Sequence, residues 1–221
     1  MSAPLIELRG VQFAYVARRP VLADLNFTIN AGDRIGITGA NGGGKSTLLQ
    51  LIVGLLKPTG GDVICFGQPR TSESDFIDVR RRVGLLFQDS NDQLFCPTVA
   101  EDIAFGPLNL GKSRDEAALI VQSTLDAVGL PGYEERITYK LSGGEKRLVA
   151  LATVLAMEPE LLLLDEPLTG LDEDHLEKIQ GVLATLEQAM LIVAHDHAFL
   201  KKIARNTVVL RAGKIELMEG D

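Results

Sequence analysis

The sequence predicts an α/β fold built on a mostly parallel sheet, and three features carry that expectation. Short apolar strands alternate with helices along most of the chain, the order that strand–helix–strand units produce. A glycine-rich loop at residues 39–47 stands between a strand and a helix. A run of four leucines at 161–164 ends in two adjacent carboxylates, Asp165 and Glu166.

The elements follow in order. Leu5, Ile6, Leu8 and Val11 mark a first strand, and Leu25, Phe27 and Ile29, at period two, a second. A turn at Ala31, Gly32 and Asp33 feeds a short strand at 34–38. A helix runs from Lys45 to about Gly54 and is stopped by Lys57, Pro58, Thr59, Gly60 and Gly61. Strands are expected at 63–66 and, as a continuous apolar run, at 83–87. From 98 to 157 the pattern turns helical, with segments near 99–105, 114–128 and 144–157, and breaks the alternation as an inserted helical subdomain would. A strand at 161–164, a helix from about 173 to 186 and a strand at 191–194 restore it. Residues 207–210 and 214–218 close the chain as a hairpin turning at Ala212 and Gly213.

Composition bounds the function. The chain has 221 residues, 46% of them hydrophobic, enough for one large domain or one domain with a small insertion. Its net charge of −8 leaves no basic stripe, which disfavours a nucleic-acid partner. Cys65 and Cys96 lie in no metal-binding spacing and are expected to be reduced, buried and cytosolic. The longest apolar stretches, 48–56 and 148–157, are too short for a bilayer core of about 30 Å. The N-terminus has no basic region leading into an apolar run, so a cytosolic chain is expected.

The loop Gly39, Ala40, Asn41, Gly42, Gly43, Gly44, Lys45, Ser46, Thr47 satisfies GxxxxGK[ST]. Glycines let backbone N–H groups turn inward toward phosphate, and the helix that follows adds the partial positive charge of its N-terminus. Lys45 supplies a charge for the β- and γ-phosphates, and the Ser46 hydroxyl can ligate Mg²⁺. A nucleoside triphosphate with Mg²⁺ is the expected ligand. Asp165 at the strand end is placed to hold Mg²⁺ through a water, and Glu166 to accept a proton from the attacking water. Their mutual repulsion is relieved by a bound cation.

A second glycine-rich helix start lies at Leu141, Ser142, Gly143, Gly144 and Glu145. Ser142 and Glu145 make a capping box, the structural reason for both residues. Two consecutive glycines, however, weaken a helix start while exposing its N–H groups to an anion. One nucleotide scarcely needs two such helix starts from one chain, whereas a head-to-tail dimer gives each nucleotide one of each kind.

Taken together, the phosphate loop, Leu-Ser-Gly-Gly-Glu-Lys-Arg at 141–147, Leu-Leu-Leu-Leu-Asp-Glu-Pro at 161–167 and Leu171-Asp172 resemble an ABC-transporter ATPase over essentially the whole chain. The resemblance implies a P-loop NTPase with a RecA-like core, an antiparallel β subdomain and a helical subdomain at about 89–158, all within one ATPase domain. It implies ATP and Mg²⁺, and a nucleotide-sandwich dimer in which Ser142, Gly143 and Gly144 of one subunit face the phosphate loop of the other. Tyr15 matches the aromatic that stacks on adenine, although a core role for a strand aromatic beside Phe13 and Phe27 remains open. Gln88 matches the glutamine that touches Mg²⁺ and the attacking water. Asp172 matches the residue that communicates across the dimer, and His195 the switch histidine on the γ-phosphate. His175 and His197 are expected at the surface. Ala40 and Gly43 stand where many members carry Pro and Ser.

The segments 83–95 and 99–111 look like the ATPase of energy-coupling-factor importers, particularly the cobalt and nickel branch. Those ATPases pair with themselves or with a second ATPase, and with a transmembrane coupling subunit and a substrate-binding membrane protein. The implied place is the cytoplasmic face of the cell membrane. With the sequence ending at Asp221, the C-terminal extension by which many members of this branch dimerise is expected to be absent. Leu94, Phe95 and Cys96 either pack beneath the helical subdomain or form, with Gln93, part of a groove for the coupling subunit. The alternative function is a soluble ABC ATPase of DNA repair or translation, which the chain's acidity and lack of room for a second cassette disfavour. A P-loop kinase leaves Leu-Ser-Gly-Gly-Glu unexplained.

Overall fold

Residues 3–16 and 19–217 are described in the computed structural model of the chain. Their strands divide between two sheets. In the first, β1 (Ile6–Phe13), β2 (Leu22–Ile29), β4 (Gly60–Cys65) and β5 (Gln68–Pro69) run antiparallel in the order β2-β1-β4-β5. Ile6 and Leu8 face inward at period two, and the register then shifts between Leu8 and Val11. Gly10, at φ 57°, absorbs that bulge, and Val11 and Phe13 return to the buried face.

The second sheet has the order β10-β9-β3-β8-β7-β6, from β3 (Arg34–Thr38), β6 (Val83–Leu86), β7 (Leu161–Asp165), β8 (Ala189–Val193), β9 (Asn206–Arg211) and β10 (Lys214–Leu217). All its pairings are parallel except β9 with β10. Leu161 and Leu163 face one hydrophobic core, which also holds α1 (Lys45–Ile52) and the inner face of the antiparallel sheet. Leu162 and Leu164 face the other. Burial on both faces is why β7 reads as an unbroken leucine run.

The second core packs α6 (Glu173–Thr185), α7 (His197–Ile203) and the helical insertion against the sheet. The insertion lies between β6 and β7 and holds α3 (Val99–Asn109), α4 (Arg114–Ala127) and α5 (Gly143–Leu155). Each of the three starts at a capping box: Thr98 with Glu101, Ser113 with Glu116, and Ser142 with Glu145. Among the described residues no helix is long and apolar enough to cross a membrane.

The structure adds elements the sequence reading lacked. A helix α2 (Glu73–Arg82) starts at a Ser72–Asp75 capping box and buries only Phe76 and Val79. The α7 helix is short and is capped by Asp196. The closing hairpin turns through Ala212 and Gly213, both at positive φ; Met218, placed in its second strand, lies outside the described residues. Cys65 is buried and free, but Cys96 is half-buried, not buried as expected.

Because β3, β6, β7 and β8 are parallel, their carboxyl ends share one edge. In an open α/β sheet that edge is where ligands bind.

Candidate active site

Four segments leave that edge together: the loop after β3, Gln88 after β6, Asp165 and Glu166 at the end of β7, and His195 after β8. They line one cleft of about 820 Å³, with Tyr15 beyond β1 and residues 41–47 completing the wall.

The loop needs its glycines. Gly39 sits at φ 143°, and a Cβ there would come 2.4 Å from the Leu210 carbonyl oxygen of β9. Gly44 sits at φ 99°, where a Cβ would meet Val21 at 2.8 Å. Lys45 is buried, and its Nζ donates to the carbonyls of Gly39 at 2.8 Å and Ala40 at 3.1 Å. The ammonium is thereby held at the mouth of the loop, where α1 begins.

Asp165 is 7% exposed, and its Oδ1 has no hydrogen-bond partner. Burial pushes its pKa above the usual carboxylate range, while a hydrogen bond from Ser46 and the charges of Arg147 and Lys45 pull the other way. Glu166 stands at φ 46°, a left-handed conformation that a non-glycine residue rarely adopts, with its N–H on the Val193 carbonyl at 2.9 Å. Its Oε1 is also buried without a hydrogen-bond partner, 3.2 Å from His195 Nε2. The Thr169 hydroxyl donates to its Oε2 at 3.3 Å.

A buried orphan oxygen beside the Ser46 hydroxyl is the hard donor pair that Mg²⁺ takes. Among the described residues no group of three or more His, Cys, Asp or Glu could hold a metal on protein ligands alone. The arrangement therefore fits an ion that draws its other ligands from phosphate and water.

Tyr15 is 61% exposed and outside the core, its hydroxyl 3.0 Å from Thr47 Oγ1 and its ring edge-on to Phe13. The second helix start stands apart from this cleft. Ser142 and Gly143 are exposed, and the Ser142 hydroxyl accepts from the Glu145 N–H at 3.2 Å while Glu145 Oε2 accepts from the Ser142 N–H at 2.7 Å. Gly143 lines an adjoining hollow with Gln88; Ser142, Gly144 and Asp172 line neither.

His175 departs from its expected surface position. Its half-buried ring lies over Gly144, where a Cβ would come 2.4 Å from the imidazole, and its Nδ1 lies 2.7 Å from Asp172 Oδ1. The His175 N–H and ring hold the Asp172 carboxyl below the usual range. His197 is exposed, as expected.

A separate apolar hollow is lined by Leu55, Leu85, Phe95, Phe105 and Met157. Phe95 is 67% exposed and edge-on to Phe105, whereas Leu94 packs against the helical core. Gln93 lines the same hollow, as expected, with its amide held in place: it donates to the Ala150 carbonyl and Thr153 Oγ1, each at 2.8 Å, and accepts from the Phe87 N–H at 3.2 Å.

Sequence reasoning missed Thr169 and, above all, Arg147. The latter is a buried cation beneath the cleft; the sequence shows it at the end of the 141–147 run and within the apolar register of α5, but not what it binds.

The ABC transporter family matches residues 22–169 of the chain. The chain is 42% identical over 215 residues to the energy-coupling factor transporter ATP-binding protein EcfA of Methanothermobacter thermautotrophicus, covering 96% of this chain and 69% of that protein. Among solved structures, CbiO1 from Clostridium perfringens, part of the ABC transporter complex CbiONQ, superposes with a TM-score of 0.85 at 32% identity, covering 97% of this chain and 87% of that one. A dimeric ATP-binding cassette in a post-hydrolysis state, bound to ADP and Pi, superposes at 0.87 with 27% identity, covering 98% and 100%.

Proposed function

We propose, from the premise that this chain belongs to the ABC transporter family, that it is the ATP-hydrolysing subunit of an energy-coupling-factor importer. It is an ATPase with the P-loop, RecA-like fold of that family. The observation that carries the catalytic reading is the convergence of Lys45, Gln88, Glu166 and His195 on one cleft at the carboxyl edge of the sheet.

In this reading the chain is one ATPase domain, with the helical subdomain at about 89–158 inserted in the core. The loop at 39–47 and Lys45 bind the ATP phosphates, and Tyr15 stacks on adenine. Ser46, Gln88 and, through water, Asp165 would hold Mg²⁺, which neutralises charge on the β- and γ-phosphates when bound. Glu166 takes the proton of the attacking water, and His195 contacts the γ-phosphate. Ser142, Gly143 and Gly144 act on the nucleotide of a second subunit, like or unlike, and Asp172 carries the signal between the two. The exposure of Ser142, which lines neither hollow of its own chain, supports that arrangement.

Membrane coupling rests on the apolar hollow around Phe95. Short helices of a transmembrane coupling subunit fit it, and a substrate-binding membrane protein completes the importer at the cytoplasmic face. The names of EcfA and CbiO1 favour this branch, with cobalt, nickel or a vitamin as cargo. Co-expression with the membrane proteins encoded beside it tests the reading. Phe95→Glu should leave the ATPase of the isolated protein unchanged while abolishing membrane association and cargo uptake. A protein that stays soluble beside those partners, with uptake indifferent to Phe95, contradicts it and favours a soluble ATPase.

A further inference from the structure

Arg147 lies on α5, five residues after Ser142, and is 3% exposed. A guanidinium has five N–H donors in a fixed planar fork, and here all five meet backbone carbonyls. Nε donates to Pro167 at 3.0 Å. One Nη2 hydrogen goes to Asp165 and one to Glu166, each at 2.8 Å. Nη1 donates to Gln88 at 3.1 Å and to Phe87. Desolvation pulls the arginine pKa down to about 10, with the nearby charges of Asp165, Asp89 and Glu166 acting against the fall. A cation left this dry persists only where its partners are well placed.

The five carbonyls belong to two chain segments and no others: the one leaving β6 at 87–88 and the one leaving β7 at 165–167. These carry Gln88 and Glu166. Glu166 needs external support, since its left-handed backbone is unfavourable for a residue with a side chain. Its carbonyl is held from one side by Arg147 and from the other by the Thr169 N–H at 3.2 Å.

We propose that Arg147 is a positioning residue for hydrolysis, which sets Glu166 and Gln88 of its own chain against each other by clamping the backbone of both. The inference rests on the roles given to those two residues above. It divides α5 into two functions: Ser142, at the helix start, serves the nucleotide of a second subunit, and Arg147, just over one turn later, serves the nucleotide of its own. Lysine cannot replace the fork, because its three donors radiate from a single atom.

The test compares Arg147→Lys and Arg147→Met in the full chain. A fluorescent ATP analogue reads binding, and single-turnover hydrolysis reads chemistry. Both variants should bind ATP as the wild type does. Hydrolysis should fall about 10²-fold in Arg147→Met, the scale on which a misplaced reacting group costs rate, and less in Arg147→Lys. Should the methionine variant fail to fold, the lysine variant, which keeps the charge, carries the test alone. Mixing with Lys45→Ala separates positioning within the chain from action on the neighbour. Ser142→Arg should recover activity in that mixture, whereas neither Arg147 variant should. Wild-type turnover in folded Arg147→Lys, loss of ATP binding in step with turnover, or recovery on mixing overturns the inference. Glu166→Gln is the control: full activity there removes the underlying reading, while its inactivity beside a fully active Arg147→Lys removes only the role of Arg147.

Discussion

His195 Nε2 stands 3.2 Å from Glu166 Oε1 across the carboxyl edge of the sheet, between residues that leave adjacent strands. The carboxylate side chain is 13% exposed and the imidazole 52%. The histidine therefore faces the cleft while the acid lies behind it. The proposed role of Glu166 as base requires its carboxylate to come within hydrogen-bond reach of a water beside the terminal phosphate, so His195, which covers Oε1, has to give way to that water. The proposed function gives binding and chemistry to different residues, and substitutions should separate them.

Lys45→Ala removes the charge nearest the loop mouth, and ATP affinity should fall about ten- to a hundredfold, matching the worth of a hydrogen bond to a charged group. Titration with a fluorescent nucleotide checks it. A folded Lys45→Ala protein with unchanged affinity refutes the phosphate-binding role of the loop.

Ser142→Arg places a bulky cation at an exposed helix start without touching the cleft of its own chain. ATP binding by that chain should persist while hydrolysis is lost. Mixed with Lys45→Ala, each mixed dimer has one whole composite site, and up to about half of the wild-type rate per mixed dimer, or about a quarter for an equal mixture with random pairing, should return if the two sites act independently. An inactive mixture contradicts action across the dimer.

The start of α5 should also be sensitive to acid. The Tyr133 hydroxyl, and after it the Ser142 N–H, hold the Glu145 carboxyl below the ordinary range. With the folded value below the unfolded one, the cap contributes fully above the unfolded glutamate value, near 4.3. It is lost as pH falls through the lowered folded value. Thermal unfolding of Glu145→Gln, followed from pH 7 to about pH 3, should therefore show a shallower loss of stability than the wild type. Parallel curves for the two proteins refute the linkage.

What the sequence made legible follows from where each residue finds its partners. The leucines of β7 announce a strand buried on both faces, and the phosphate loop is announced by its own run of glycines before Lys45, although the contacts that demand Gly39 and Gly44 come from Leu210 and Val21, distant in the chain. The capping boxes of α3, α4 and α5 are equally local. By contrast, α2 buries two apolar side chains and offers little periodicity. His175 is covered only because α5 brings Gly144 beneath its ring, thirty-one residues distant in the chain. Arg147 makes sense only once β6 and β7 have delivered five carbonyls to one point. Gln93 lies on the hollow as the sequence suggested, but the three hydrogen bonds that fix its amide to Phe87 and α5 are not visible in sequence.

In the proposed site Glu166 is the base, while other residues bind the nucleotide. Single-turnover ATP hydrolysis and equilibrium ATP binding, measured on the same preparation of Glu166→Gln, test it directly. Affinity should match the wild type, the ATP-bound protein should accumulate as a dimer, and hydrolysis should slow by about 10²–10⁴, the range for loss of a general base. Near-normal turnover with normal binding contradicts the account.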